Sequence, residues 1–385
     1  MFYLDHNATS PLRPESLSAV TNALSVGGNP SSVHARGRAA RAIVEEARER
    51  VSDLVNGAGA QVIFTSGATE SNNLALFGAA EGSLEGDDSR ITRLFVSAIE
   101  HSSVLATATR LAERFPWVRV ATLPVTADGA IDLEALRVAL REGKGRALVA
   151  VMTANNETGV VQSIPEVSKL VREAGALLLV DAVPAAGKIG IDFSLCDYLT
   201  LSAHKMGGPQ GVGALLVREG APLAPQLVGG GQQKGLRAGT ENLAGIAGFG
   251  AAAHALRDAQ GEHDRIAHLR DQFEARLKDI APNVVIFGAA VERLCSTSCF
   301  AIPGVTAETA LIGLDLDGVM LSSGSTCSSG KVAVSHVLTA MGVEDGLAAC
   351  GLRASFGWNS TIEDVAAAIQ SLLKLRERIR AREAA

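Results

Sequence analysis

Between about residues 60 and 220, short apolar runs rich in β-branched and aliphatic residues alternate with stretches of helical spacing. The runs are "QVIFTS", "LFVSAIE", "ALVAVMTA", "GALLLVDAV", "DYLTLSAH" and "GVGALLVRE". They are apolar at consecutive positions rather than every second one. This suits strands buried on both faces of a mainly parallel sheet covered by helices. Polar residues follow directly after the strand ends, and in open α/β sheets that carboxyl edge is where ligands bind. The glycine-rich "QLVGGGQQKGLRAGTEN" at 226–242 interrupts the pattern as a loop. After it, "LAGIAGFGAAAHALRDAQGEHDRIAHLRDQFEARLKDI" has the spacing of one long helix or a helix pair joining two domains. From about residue 281 the strand-like "VVIFG" and "STSCFAI" mix with amphipathic helices. The expectation is an α/β chain with a large domain over 13–255 and a smaller α+β domain from 1–12 and 256–385.

Composition narrows the function classes. Of 385 residues, 47% are hydrophobic and 20% charged, the balance of a folded chain with a large core. A formal net charge of −6 supplies no overall basic field, so neither direct nucleic-acid binding nor a membrane partner is expected. The start, "MFYLDHNATSPLRPES", lacks a basic stretch followed by an apolar one, and no apolar run is long enough to span a bilayer. A cytoplasmic location is the resulting expectation. Five cysteines at irregular spacing argue against a disulfide framework. Cys295 and Cys299 in "RLCSTSCFAIPG" suit strand positions better than a zinc site, which needs four closed ligands. Cys327 is different: "SSGSTCSSGK" surrounds it with residues too small to bury it.

The strand ends carry the chemistry. Lys205 follows one in "SAHKMGGPQG", and Asp181 closes another after "LLLV", where a buried carboxylate needs a partner. A pyridinium nitrogen is one such partner. Pyridoxal phosphate requires a lysine for its Schiff base and an acid to keep its ring nitrogen protonated. In "FTSGATESNN" a strand runs into a small-residue turn and a helix beginning near Thr69, a place for a phosphate. His101 in "IEHSSV", and Asn156 and Glu157 in "NNETG", lie past two further strand ends.

The ordered motifs "YLDHNATSP", "GNPSSVHARGR", "FTSGATESNN", "EHSSV", "NNETGVVQ", "DAVPAAGK", "SAHKMGGPQGVGAL", "GGGQQKGLRAGTEN", "SSGSTCSSG" and "LRASFG" cover nearly the whole chain. They resemble those of the pyridoxal-phosphate-dependent cysteine desulfurases of the nitrogen-fixation and iron-sulfur-cluster type, relatives of the class V aminotransferases. The resemblance implies the fold type I transferase architecture. It also implies that Lys205 carries the cofactor as a Schiff base, that Asp181 pairs with the pyridine nitrogen, and that His101 stacks on the ring and moves protons. Ala68, Thr69, Ser202 and His204 would bind the phosphate, joined by Thr240 from the second subunit of a homodimer. Asn156 would lie near the ring hydroxyl and the substrate, and Arg353 would grip the carboxylate of L-cysteine. Cys327 would be the nucleophile, receiving sulfur as a persulfide and passing it to an acceptor or iron-sulfur scaffold protein, for cluster assembly or tRNA thiolation. The same residue would be a transient iron-sulfur ligand.

Two positions depart from the family pattern. Pro184 in "DAVPAAGK" replaces a glutamine expected to hydrogen-bond the ring hydroxyl, and proline cannot donate. Thr326 precedes Cys327 where alanine is usual. Two rival readings use the same fold. A lyase acting on selenocysteine, or an aminotransferase, needs Lys205 and Asp181 without Cys327, whereas a non-catalytic scaffold needs none of them.

Overall fold

The consecutive apolar runs become strands whose successive residues point to opposite faces, so each run must be covered on both sides. A computed structural model of the chain describes residues 1–83, 90–257, 259–324 and 334–383. Twelve strands occur among them: β1 Phe2–Tyr3, β2 Gln61–Thr65, β3 Ile91–Ser97, β4 Arg119–Leu123, β5 Arg146–Met152, β6 Leu177–Asp181, β7 Tyr198–Ser202, β8 Gly213–Val217, β9 Val285–Ile286, β10 Thr297–Ala301, β11 Val319–Met320 and β12 Gly351–Ser355.

The main sheet has the order β2-β8-β7-β6-β5-β3-β4. Only β8 runs antiparallel to its neighbours, so the other six strands all end at one edge. Two apolar cores cover its faces. Val149, Val180 and Leu199 belong to one, and the adjacent Leu148, Leu179 and Tyr198 to the other. β4 was not among the apolar runs, because it is the edge strand and most of its residues face solvent.

The glycine- and alanine-rich helix Leu243–Ala255 packs closely on the helices Pro14–Val26 and Ala35–Leu54. A Cβ at Gly250 would lie 2.6 Å from Ala47 Cα, so glycine is what permits this approach. The segment expected to be one helix or two is a pair, continuing as Gln260–Ile280. That second helix joins a separate core with Leu4, Phe300, Leu314, Leu352, Phe356 and Leu372. Beside it lie the antiparallel sheet β12-β10-β9 and the parallel pair β1-β11. Cys299 is buried within β10. No helix among the described residues is long and apolar enough to cross a membrane.

The amino-terminal segment crosses from this smaller unit to the main sheet. Ser355 N donates to the Leu4 carbonyl at 2.7 Å, Ser10 N to that of His204 at 2.8 Å, and Arg13 N to that of Gly207 at 2.8 Å. Residues 5–9 are thereby laid along the carboxyl edge of the sheet.

Candidate active site

The ends of β2, β3, β5, β6 and β7 open into a cavity of about 910 Å³. Its sheet side begins at the helix Ala68–Gly82, whose first turn has amides that no helical carbonyl can reach. Ala68 and Thr69 line the cavity there. Gly213 of β8 presses on this turn: a Cβ would sit 2.8 Å from Gly67 Cα. Ser202 ends β7, and one helical turn, Ala203–Lys205, sets His204 and Lys205 beside it.

Asp181 ends β6 and is almost wholly buried. Its Oδ1 accepts from Val183 N at 3.0 Å and its Oδ2 from Asn72 Nδ2 at 2.9 Å. The same Asn72 amide reaches Ser103 Oγ at 3.0 Å, and Ser103 Oγ lies 2.8 Å from His101 Nδ1. His101 also caps the helix Ser102–Arg114, its Nδ1 accepting from Ser103 N at 3.1 Å. One chain of hydrogen bonds therefore fixes the Asp181 carboxylate and the His101 ring together. Burial lowers the His101 pKa below its ordinary value, the Asp181 charge opposes this, and Lys205 and His336 reinforce it.

The opposite wall comes from distant parts of the sequence. Lys205 Nζ donates to the main-chain carbonyls of Asn7 at 2.6 Å and Ala8 at 2.7 Å. Burial, followed by repulsion from Arg353 and Lys188, brings its pKa down to about 8. Asn7 Nδ2 donates to Thr297 Oγ1 at 2.9 Å and to the Asn156 carbonyl at 3.0 Å. Arg353, on β12, donates from NH1 to that same carbonyl at 3.0 Å and from NH2 to Asp5 Oδ1 at 2.7 Å. Its Nε is buried without a partner. A guanidinium has five N–H donors, so three remain for an anion.

The family model for aminotransferase class-V matches residues 2–367. The chain belongs to that family, within its cysteine desulfurases. A curated cysteine desulfurase from Cereibacter sphaeroides is 40% identical over 383 residues, which cover 98% of this chain and 96% of that protein. A solved NifS-like protein from Rickettsia africae is 34% identical with a TM-score of 0.87, over 98% of this chain and 99% of the other. The protein SspA, solved in complex with cysteine, is 29% identical with a TM-score of 0.80, over 94% of this chain and all of that one.

Class-V aminotransferases work with pyridoxal phosphate, and the donor set here fits that group. It comprises a lysine amine of lowered pKa, a buried acid whose two oxygens each hold one internal donor and keep further lone pairs, and helix amides with nearby hydroxyls for a phosphate.

Of the residues singled out from sequence, Ala68, Thr69, His101, Asn156, Asp181, Ser202, His204, Lys205 and Arg353 all line the one cavity. Pro184 lines it too, at the position where the family pattern has glutamine. Thr240 is exposed and outside the cavity of the single chain. Cys327, expected as nucleophile and iron-sulfur ligand, lies outside the described residues.

Sequence reasoning missed Asn72, Ser103, Asp5, Asn7 and Lys188. Asn72 and Ser103 had a weak signal, as polar residues inside motifs already noticed. For the others the quoted motifs held the residues but not their roles.

Proposed function

We propose that the protein is a cysteine desulfurase that converts L-cysteine to L-alanine and keeps the sulfur as a persulfide on Cys327 for delivery to an acceptor protein. The observation that carries this reading is the meeting of Lys205, Asp181 and Arg353 in one cavity, because amine, acid and carboxylate receptor are the parts an amino-acid substrate needs. The solved relative in complex with cysteine supports the substrate.

Lys205 would hold pyridoxal phosphate covalently, Asp181 would hold its ring nitrogen, and Ala68, Thr69, Ser202 and His204 would hold its phosphate. When bound, pyridoxal phosphate supplies an electron sink joined to the substrate amine, which acidifies the α-proton and loosens the bond from Cβ to sulfur. Arg353 binds the substrate carboxylate through its free N–H donors while Asp5 and the Asn156 carbonyl keep its plane fixed. Lys205 Nζ takes the α-proton as a neutral amine, a state its depressed pKa makes accessible near neutrality. His101 lines the cavity with Nδ1 committed as an acceptor of the Ser103 amide, which leaves Nε2 as its uncommitted ring nitrogen.

The sulfur step balances without an external oxidant. The bond from Cβ to sulfur breaks, a bond from that sulfur to Cys327 Sγ forms, and the proton lost on forming the Cys327 thiolate is matched by the one Cβ gains in alanine. The acting form of Cys327 is the thiolate. The physiological arrangement is a homodimer in which Thr240 of one subunit completes the phosphate site of the other. Its exposed position in this chain, near an Arg237 held 2.7 Å from Glu70 at the same helix start, supports that placement. The sulfur is destined for iron-sulfur cluster assembly or tRNA thiolation.

The test is formation of alanine and sulfide from cysteine by wild type and Cys327→Ala, with the cofactor absorbance recorded for both. Retained colour and loss of both products in the variant is the expected result. Full activity in Cys327→Ala would replace this reading with that of a lyase.

A further inference from the structure

Lys188 lines the same cavity as Lys205 and was not part of the expected site. It lies in the turn after β6, with its amide donating to the Ala185 carbonyl at 2.8 Å. The preceding Gly187 has φ +73°, and a Cβ there would fall 2.4 Å from Leu256 Cδ1, so only glycine fits this turn without strain. Lys188 Nζ donates to Asn7 Oδ1 at 3.2 Å, and no carboxylate among the described residues forms an ion pair with it. Among the described residues, the one group that favours its ammonium form is the Cys295 thiol, which burial keeps in its neutral form. Asp5 is taken by Arg353, and Glu262, which shares a second small pocket with Lys188, is taken by Arg13.

We infer that Lys188 is a charge-setting residue for Lys205. Both amines are held on the two oxygens of one residue, Lys188 on the side-chain oxygen of Asn7 and Lys205 on its main-chain oxygen, and the uncompensated charge of the first favours the neutral, reactive amine of the second. Asn7 is the spacer that fixes their approach, and its own amide is anchored to Thr297 and Asn156. The inference rests on Lys205 being the cofactor-bearing amine.

The charged groups acting on Lys205 come from each surrounding element. Arg353 on β12 and Lys188 after β6 disfavour its ammonium form, whereas Asp5 in the amino-terminal segment and Asp181 at the end of β6 favour it. His204 beside it and His101 across the cavity are themselves pushed toward neutrality by burial first and by Lys205 in addition, so they add little charge near neutral pH. Burial brings Lys188 itself down to about 8, so its repulsion is full well below that pH, about half present at it and lost well above it. Arg353 carries its own counter-ion in Asp5. Lys188 has none.

The test uses the cofactor-free full chain and needs no turnover. Lys205 is labelled with trace acetic anhydride from about pH 6 to about pH 11, and its reactivity is followed by peptide mass spectrometry. Loss of a like charge raises the pKa of an amine, so Lys188→Gln and Lys188→Met are expected to move the Lys205 midpoint upward by about half a pH unit or more. Lys188→Arg, which keeps the charge throughout the titration, leaves the midpoint at or below the wild-type value. Lys188→Gln keeps a donor for Asn7 and so separates charge from packing. An unchanged Lys205 midpoint in Lys188→Gln, in a protein with the wild-type unfolding transition, overturns the inference. Failure of the desulfurase reading would instead appear as a wild-type protein whose Lys205 titrates as described yet releases no alanine from cysteine.

Discussion

On the sheet side of the cavity, Asp181, Ser202 and Lys205 stand at or just past strand ends, and His101 caps the helix after β3. On the facing side, Asp5, Asn7, Thr297 and Arg353 meet across separations of 290 and 348 positions. The first wall is held by regular secondary structure, so each group keeps its place because a strand or helix must end there. The second joins the paired strands β10 and β12, which carry Thr297 and Arg353, to the irregular segment of Asp5 and Asn7, and side-chain hydrogen bonds make that junction. From this difference follows a division of labour. On the proposed reading, proton and cofactor chemistry falls to the sheet edge, with Lys188 setting charge from the turn after β6, while substrate recognition falls to the assembled wall.

The strongest way to break that division is Lys205→Ala. Removal of the amine proposed for both attachment and α-proton transfer is expected to lower alanine formation about 10³-fold or more and to abolish the Schiff-base absorbance. Substantial activity without that absorbance would move the chemistry away from the sheet edge. In wild type, Schiff-base formation by cofactor-free protein should accelerate as pH rises and level off above about 8. Only the neutral amine attacks, and Lys205 Nζ sheds its proton near that value.

Next in size is Arg353→Lys. Lysine keeps the charge but not the planar fork, so the KM for cysteine should rise tenfold or more, about 1.4 kcal/mol, with kcat less affected. A fall in kcat at constant KM would place Arg353 in the chemistry instead of in recognition. Asn72→Ala tests the sheet side again. It removes the donor shared by Asp181 and Ser103, leaving two buried acceptors short of a partner, and should cost about 1–3 kcal/mol in denaturant unfolding. Because Asp181 and the His101 ring would then be less firmly oriented, kcat is expected to fall about tenfold while KM holds.

The same contrast explains what the sequence made legible. Buried strands are continuous apolar runs and the residues after them are polar, so the sheet edge, with Asp181, His101, Asn156 and Lys205, stands out in the sequence itself. Asn72 escaped because a helical asparagine ordinarily lies on a solvated face, and its burial depends on the approach of β6. Asp5 and Lys188 escaped for a different reason: their meaning depends on which distant segment carries the partner, and no local pattern encodes that pairing. Lys188 would have been counted as an ordinary solvated lysine. β4 escaped because an edge strand with one solvated face lacks the apolar continuity that marked the others.

The smallest expected effect, Asp5→Asn, sharpens the comparison most finely. Asparagine retains an oxygen to accept from Arg353 NH2, so the guanidinium should keep its plane while losing a competing negative charge. The substrate carboxylate would then meet a less neutralised guanidinium, and the KM for cysteine should fall about two- to threefold, in line with the few tenths to one kcal/mol of a partly exposed ion pair. Asp5 also favours the ammonium form of Lys205, so its removal should move the Lys205 midpoint downward, opposite in sign to Lys188→Gln. Opposite shifts from Asp5 on the assembled wall and Lys188 in the turn after β6, with kcat at its optimum pH nearly unchanged in both, would mean that both residues set charge or affinity without taking part in bond making. Equal falls in kcat for both variants would place both residues in bond making instead.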